Sequence, residues 1–125
     1  MTENEIGRII VNSALTVHKN LGPGLLESTY QACLAHELIE SGLVVYKEAA
    51  LPVVYKDVQL DCGYRLDLWI NSKVIIEIKA VDSLNDIHMA QILTYLKLTD
   101  NRLGFLINFN VSRVKNGIRR VVNNL

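Results

Sequence analysis

Apolar residues recur at helical spacing in the first segment, where Ile6, Ile10, Ser13, Ala14, Val17 and Leu21 place residues near 4–20 on an amphipathic helix. Gly22-Pro23-Gly24 breaks it, and a second helix is predicted from about Leu25 to Ser41, stopped by Gly42. From Val44 the texture changes to β-branched and aromatic runs: Val44–Ala50, Pro52–Tyr55, Val58–Leu60, Tyr64–Ile70 and Val74–Ala80, a meander of strands. Ser83 with Asp86 three residues on predicts the cap of a third helix that runs through about Thr99 and ends at Asp100-Asn101. Leu103–Asn108 reads as a buried strand, and Arg113–Val122, interrupted by Asn116-Gly117, as a last hairpin or strand pair. The summary order is ααββββαββ, an α/β chain of one domain over residues 1–125.

The stretch from Tyr64 to Ala80 carries the most information, through its parity. Leu66, Leu68 and Ile70 alternate with Arg65, Asp67 and Trp69, while Val74, Ile76 and Ile78 alternate with Ile75, Glu77 and Lys79. A turn centred on Ser72 sets Ile70 against Val74 and Leu68 against Ile76, so that both apolar sets share one face. The same register puts Asp67 opposite Glu77. Like charges so placed repel unless something holds them, and a divalent cation is one such holder. Mg²⁺ takes a few carboxylate oxygens plus water and phosphate, and the backbone carbonyl of Ile78 is a further donor within reach. Lys79, on the face of Glu77, then stands where an ammonium orients or helps deprotonate an attacking water. Charge pairs among Arg65, Asp67, Glu77 and Lys79 on a solvated sheet face fit the spacing as well.

On the second helix Glu27, Tyr30, Leu34 and Leu38 fall on one side, which predicts an inward-facing Glu27. A buried carboxylate asks for a partner: a third place at the Asp67/Glu77 site, a helix-capping role, or Lys47. His18 lies at the edge of the first helix's apolar face, as a metal ligand or as hydrogen-bonded packing. On the third helix Gln91 and Tyr95 are four apart, placed to touch a nucleic-acid backbone, to orient the site, or to bond a sheet edge.

Formal net charge is zero, with 13 basic and 13 acidic side chains, but all the acidic ones precede Asn101. Arg102, Arg113, Lys115, Arg119 and Arg120 follow it. That last quarter is a candidate phosphate-facing surface, or a solubilising tail. Cys33 and Cys62 lack metal-binding spacing and read as reduced structural thiols. No apolar run approaches the roughly 20 residues of a membrane-spanning helix, and the N-terminus lacks a basic signal start, so a soluble, cytoplasmic protein is expected.

Gly24-Leu25-Leu26-Glu27-Ser28-Thr29-Tyr30 resembles the signature of the GxxExxY group. Asp67, Glu77-Ile78-Lys79 and Gln91-Ile92-Leu93-Thr94-Tyr95 resemble, in order, the motifs of RecB-like PD-(D/E)XK nucleases. The likeness covers His18 to Tyr95. It implies a restriction-endonuclease-like fold, a mixed central sheet flanked by helices, and a nuclease that uses Mg²⁺ or Mn²⁺ on nucleic acid, DNA being expected. Position by position it makes Asp67 and Glu77 metal ligands, Lys79 the catalytic lysine and Glu27 the acidic residue of the first core helix. Gln91 and Tyr95 resemble the QxxxY element, and His18 stands where such enzymes have a metal-binding histidine. Tyr30 joins Gln91 and Tyr95 as a substrate-side candidate, with Arg113, Lys115, Arg119 and Arg120 beyond them. Leu66 precedes Asp67 where the name of the superfamily has proline. The chain barely exceeds the shared core, so substrate affinity is expected to draw on a homodimer or a partner protein. Two other functions fit the same residues: a nucleic-acid- or protein-binding module that does not cleave, and a metal phosphohydrolase acting on a small substrate.

Overall fold

The computed structural model describes residues 1–125. Helix α1 spans Glu3–Leu21, and its start is fixed by a capping box in which the Thr2 hydroxyl accepts from Glu5 N and the Glu5 carboxylate accepts from Thr2 N. Its buried side, Ile6, Ile10, Ala14 and Val17, follows the predicted stripe. The helix ends at Gly22, whose φ of 67° suits a residue without a Cβ. Helix α2 spans Glu27–Glu40 and buries Tyr30, Leu34, Ala35 and Leu38.

No side chain caps α2 at its N-cap Leu26. The turn before it is held by Tyr30 instead, whose hydroxyl donates to Gly22 O at 2.6 Å and accepts from Leu25 N at 3.1 Å. The Tyr30 ring is fully buried and stacks on Phe109, with centroids 4.6 Å apart. Replacing Tyr30 with Phe keeps the stack but strands both backbone groups, so urea unfolding should show a loss of about 1–3 kcal/mol. An unchanged midpoint would mean that water satisfies them equally well.

Strands β1 (Val45–Ala50), β4 (Arg65–Ile70), β5 (Val74–Lys79), β6 (Leu103–Asn108) and β7 (Ile118–Val122) form one sheet in the order β1-β4-β5-β6-β7. β5 and β6 are parallel, joined across helix α3 (Asp86–Thr99), and the other neighbours are antiparallel. Each of the five runs before α3 is a strand, one more than the summary order counted. β2 (Val53–Tyr55) and β3 (Val58–Leu60) pair only with each other, as a small exposed hairpin outside the central sheet.

Two apolar layers sandwich the sheet. One joins α1 and α2 to Leu68, Ile70, Val74, Ile76, Ile78 and Phe105; the other joins Ile92, Tyr95 and Leu96 of α3 to Leu66, Ile75 and Leu106. Cover on both faces is why β5 and β6 read as continuous apolar runs rather than as clean alternations. It also corrects the shared face expected for Leu66. The β1–β4 ladder skips Glu48 and Asp67, Glu48 having a φ of 50°, and beyond that break Leu66 packs on the α3 side.

Two local expectations change. The box that opens α3 is Asn85 with His88, not Ser83 with Asp86: Asn85 Oδ1 accepts from His88 N, and His88 Nδ1 accepts from Asn85 N. Arg113–Val122 is no hairpin. A short 3-10 turn, Val114–Gly117, leads into β7 alone, and it lies so close to β6 that a Cβ at Gly117 would sit 2.1 Å from Asn108 O. The whole is a mixed α/β architecture of the restriction-endonuclease type. No helix is long and apolar enough to cross a membrane.

Candidate active site

The β4–β5 turn has left-handed backbone at Asn71 and Ser72, with φ of 51° and 55°, and is closed by Lys73 N donating to Ile70 O. The ladder above it pairs Ile70 with Val74, Trp69 with Ile75 and Leu68 with Ile76. One step further, side chains take over from regular pairing. Asp67 N donates to Glu77 Oε1 at 3.2 Å, and Ile78 N donates to Asp67 Oδ2 at 2.8 Å. Each carboxylate is thus held by the opposite strand's backbone, and the two sit side by side.

Their electrostatics follow from that placement. Glu77 is only 5% exposed; burial, and then the charge of Asp67, push its carboxyl up to about 8. Asp67, half-buried, is raised as well, by burial first and then by Glu48, against the Ile78 N–H and the charge of Lys79. Tyr95 on α3 is buried and pushed up to about 12, by burial first and then by the negative charges of Glu77 and Asp67 and by Tyr64, whose ring centroid is 6.1 Å away. Lys79 is half-buried at the end of β5, and the chain's one salt bridge, Arg65 with Asp61, does not involve it.

Glu27 does not face the core. It is the exposed first residue of α2, because the stripe it shares with Tyr30 and Leu34 overruns the buried layer by one turn. Its Oε2 accepts from Ala80 N at 3.0 Å, next to Lys79, and it pairs with neither Lys47 nor the helix cap. His18 is buried, its Nε2 2.7 Å from Val111 O and its ring stacked on Phe109 at 6.4 Å. Gln91 is half-buried one turn before Tyr95, while Tyr30 is committed to the Gly22 turn. Arg113, Lys115, Arg119 and Arg120 are exposed; Arg119 donates to Asn116 O and Ile118 O, and Arg120 to Asn4 Oδ1.

Three residues escaped the sequence reading. Glu48 belongs opposite Asp67, in the gap of the β1–β4 ladder, and adds negative charge there. Gln31 Nε2 donates to Asp67 O at 3.3 Å. Asn108, 2% exposed at the end of β6, accepts from Val81 N and donates to Val81 O, at 3.1 and 2.9 Å, while Phe109 N donates to Lys79 O at 3.0 Å. The chain leaving Lys79 is thereby fastened on three successive residues, Lys79, Ala80 and Val81. A polar residue closing the apolar run Leu103–Ile107 was the one available signal for Asn108.

No group of three or more His, Cys, Asp and Glu side chains gathers into a ready-made metal cage. Asp67 and Glu77 are an adjacent pair, an all-oxygen set with no ammonium or guanidinium within ion-pair distance. Such a pair fits a hard divalent ion that keeps several waters and a substrate phosphate in its shell.

No curated protein and no solved structure matches the chain. A family model does, the PD-(D/E)XK nuclease superfamily, over residues 4–121. With nearly its whole length matched, the chain belongs to the PD-(D/E)XK nuclease superfamily.

Proposed function

We propose that this protein is a GxxExxY-type, RecB-like nuclease that hydrolyses DNA phosphodiester bonds with Mg²⁺, or Mn²⁺ in its place. The observation that carries the reading is half-buried Asp67 paired with buried Glu77 beside Lys79, in a chain of this superfamily. Asp67 and Glu77, deprotonated, would hold the ion, with the Ile78 carbonyl as a further donor and Glu27 and His18 as outer candidates. When bound, the cation supplies Lewis acidity toward the scissile phosphate and lowers the pKa of the attacking water. The Lys79 ammonium, close enough for its charge to act on both carboxyls, orients the water and offsets the negative charge that develops. The water oxygen forms the new bond to phosphorus as its proton passes to bulk water, and the bond to the leaving sugar oxygen breaks, that oxygen taking up a proton from bulk water. Tyr95 and Gln91 stand on the α3 side of the pair and position the substrate strand; Arg113, Lys115, Arg119 and Arg120 contribute phosphate contacts.

Incubating the protein with end-labelled single- and double-stranded DNA and RNA, in Mg²⁺ and in chelator, tests the reading. Products from DNA that appear only with the metal are expected. Metal-independent binding without any product would favour the non-cleaving module. Turnover of a small phosphodiester but of no polymer would point to the phosphohydrolase.

A further inference from the structure

Arg8, Asn12, Leu15 and Lys19 succeed one another at steps of four, three and four along α1 and so form one stripe. All four are exposed. Two clefts open along this stripe, between α1 and the segment that runs from Ser112 into β7. In the first, of about 290 Å³, Arg8 and Arg120 stand over a floor of Leu103 and Phe105. In the second, of about 330 Å³, Lys19 stands with Arg113 and Lys115 beside His18.

Neither cleft has a carboxylate in its lining, although the chain holds as many acidic as basic side chains. None of the five cations takes part in a salt bridge. Long basic side chains on both walls of each cleft, with no carboxylate partner and only Arg120 bonded across, to Asn4 Oδ1, are poised for an external anion. Arg8 and Lys19 are 11 residues apart, about 16 Å along the helix, so the cations are strung out in a line rather than gathered at a point. A line of that length suits several consecutive phosphates of a nucleic-acid strand, which lie about 3.4 Å apart along the axis of a duplex, better than a single phosphate group.

The second cleft lies at the end of the sheet where β5 closes on Lys79, on the α1 side. His18, in the second cleft, touches Val111 O and stacks on Phe109, whose N–H holds Lys79 O. We infer that the groove between α1 and the 3-10/β7 segment is the track that binds the DNA backbone and feeds it to the Asp67–Glu77–Lys79 site. The inference rests on the nuclease reading above, and it adds Arg8 and Lys19, from the opposite end of the chain, to the basic residues of the last quarter. Arg119 turns to the other side of β7, beside Asp82 and Ser83, and is left out of the track.

The test is fluorescence anisotropy of a labelled DNA duplex with the full chain, in chelator so that nothing is cut, over a series of salt concentrations. The wild type is compared with the double variant Arg8→Ser/Lys19→Ser and with Lys56→Ser, which removes a charge from the exposed β2–β3 turn. The double variant should bind about tenfold more weakly or worse at moderate salt, with a log–log salt slope smaller by about two. Lys56→Ser should bind as the wild type does, and circular dichroism should show all three equally folded. Wild-type binding with an unchanged affinity and slope in the double variant would overturn the track and leave the nuclease reading standing. Absence of any wild-type binding to DNA, even at low salt, would overturn both.

Discussion

Glu77→Gln should raise the stability of the metal-free protein at neutral and alkaline pH and abolish the proposed cleavage. Glu77 is 5% exposed, and its carboxyl is raised from 4.5 to about 8 by burial and by Asp67. For a group raised in this direction, the folded state holds the proton more tightly than the unfolded chain. The stability that this contributes is fully present below about pH 4.5, falls as pH climbs, and is lost once pH passes about 8. The slope inside that window has a ceiling of about 1.4 kcal/mol per pH unit. Glutamine keeps the oxygen that accepts from Asp67 N but carries no charge, so the variant should be more stable by about 1–3 kcal/mol near pH 8, with a flatter profile. Urea unfolding across that range measures both. A variant no more stable than the wild type, with the wild-type profile itself flat, would show that Glu77 is comfortable as an anion. The proposed metal role carries the same linkage: to hold Mg²⁺, Asp67 and Glu77 would have to give up their protons, so affinity for it should drop as pH falls below about 8.

Lys79→Met should abolish cleavage while leaving the protein folded and able to bind Mg²⁺. Lys79 is half-buried and forms no salt bridge, so its charge is not consumed in holding the fold. Methionine retains most of the apolar stem, which limits the loss to the ammonium. Removing one preorganised charge aimed at a developing anion typically costs two to three orders of magnitude in rate, and about a thousandfold loss or more is expected here. Fastening by Asn108, Phe109 and Glu27 keeps the backbone on either side of residue 79 in place, so the effect should lie in turnover rather than in substrate affinity.

What could be read from the chain, and what could not, divides by distance along it. The Asp67–Glu77 encounter depends on alternation over a span of ten residues, where shifting the pairing by one would split Leu68 from Ile76 across the sheet. Helices α1 and α2 were legible for the same reason: their stripes are local. Glu48 was not, since it meets Asp67 only through the long-range pairing of β1 with β4. Nor was Asn108, which reaches Val81 because β6 lies parallel to β5, an arrangement set by the α3 crossover. The exposure of Glu27 was misjudged because a helical stripe says which side is apolar but not where along the helix the core stops. Leu66 left its expected face at a backbone irregularity that no alternation pattern encodes. Tyr30 has an apolar ring and a hydroxyl; spacing located the ring, while its partners Gly22 and Leu25 required the folded turn.

At the centre of the proposed function, Asp67, Glu77 and Lys79 form a metal-dependent phosphodiester-cleaving site. Its most direct test is a time course of end-labelled DNA cleavage in Mg²⁺ for the wild type and Lys79→Met, with Mg²⁺ binding measured by calorimetry on the same preparations. Metal-dependent products from the wild type, none from the variant, and comparable Mg²⁺ binding by both are expected. Equal cleavage by the two proteins, or a folded wild type that neither binds Mg²⁺ nor cuts, would contradict it.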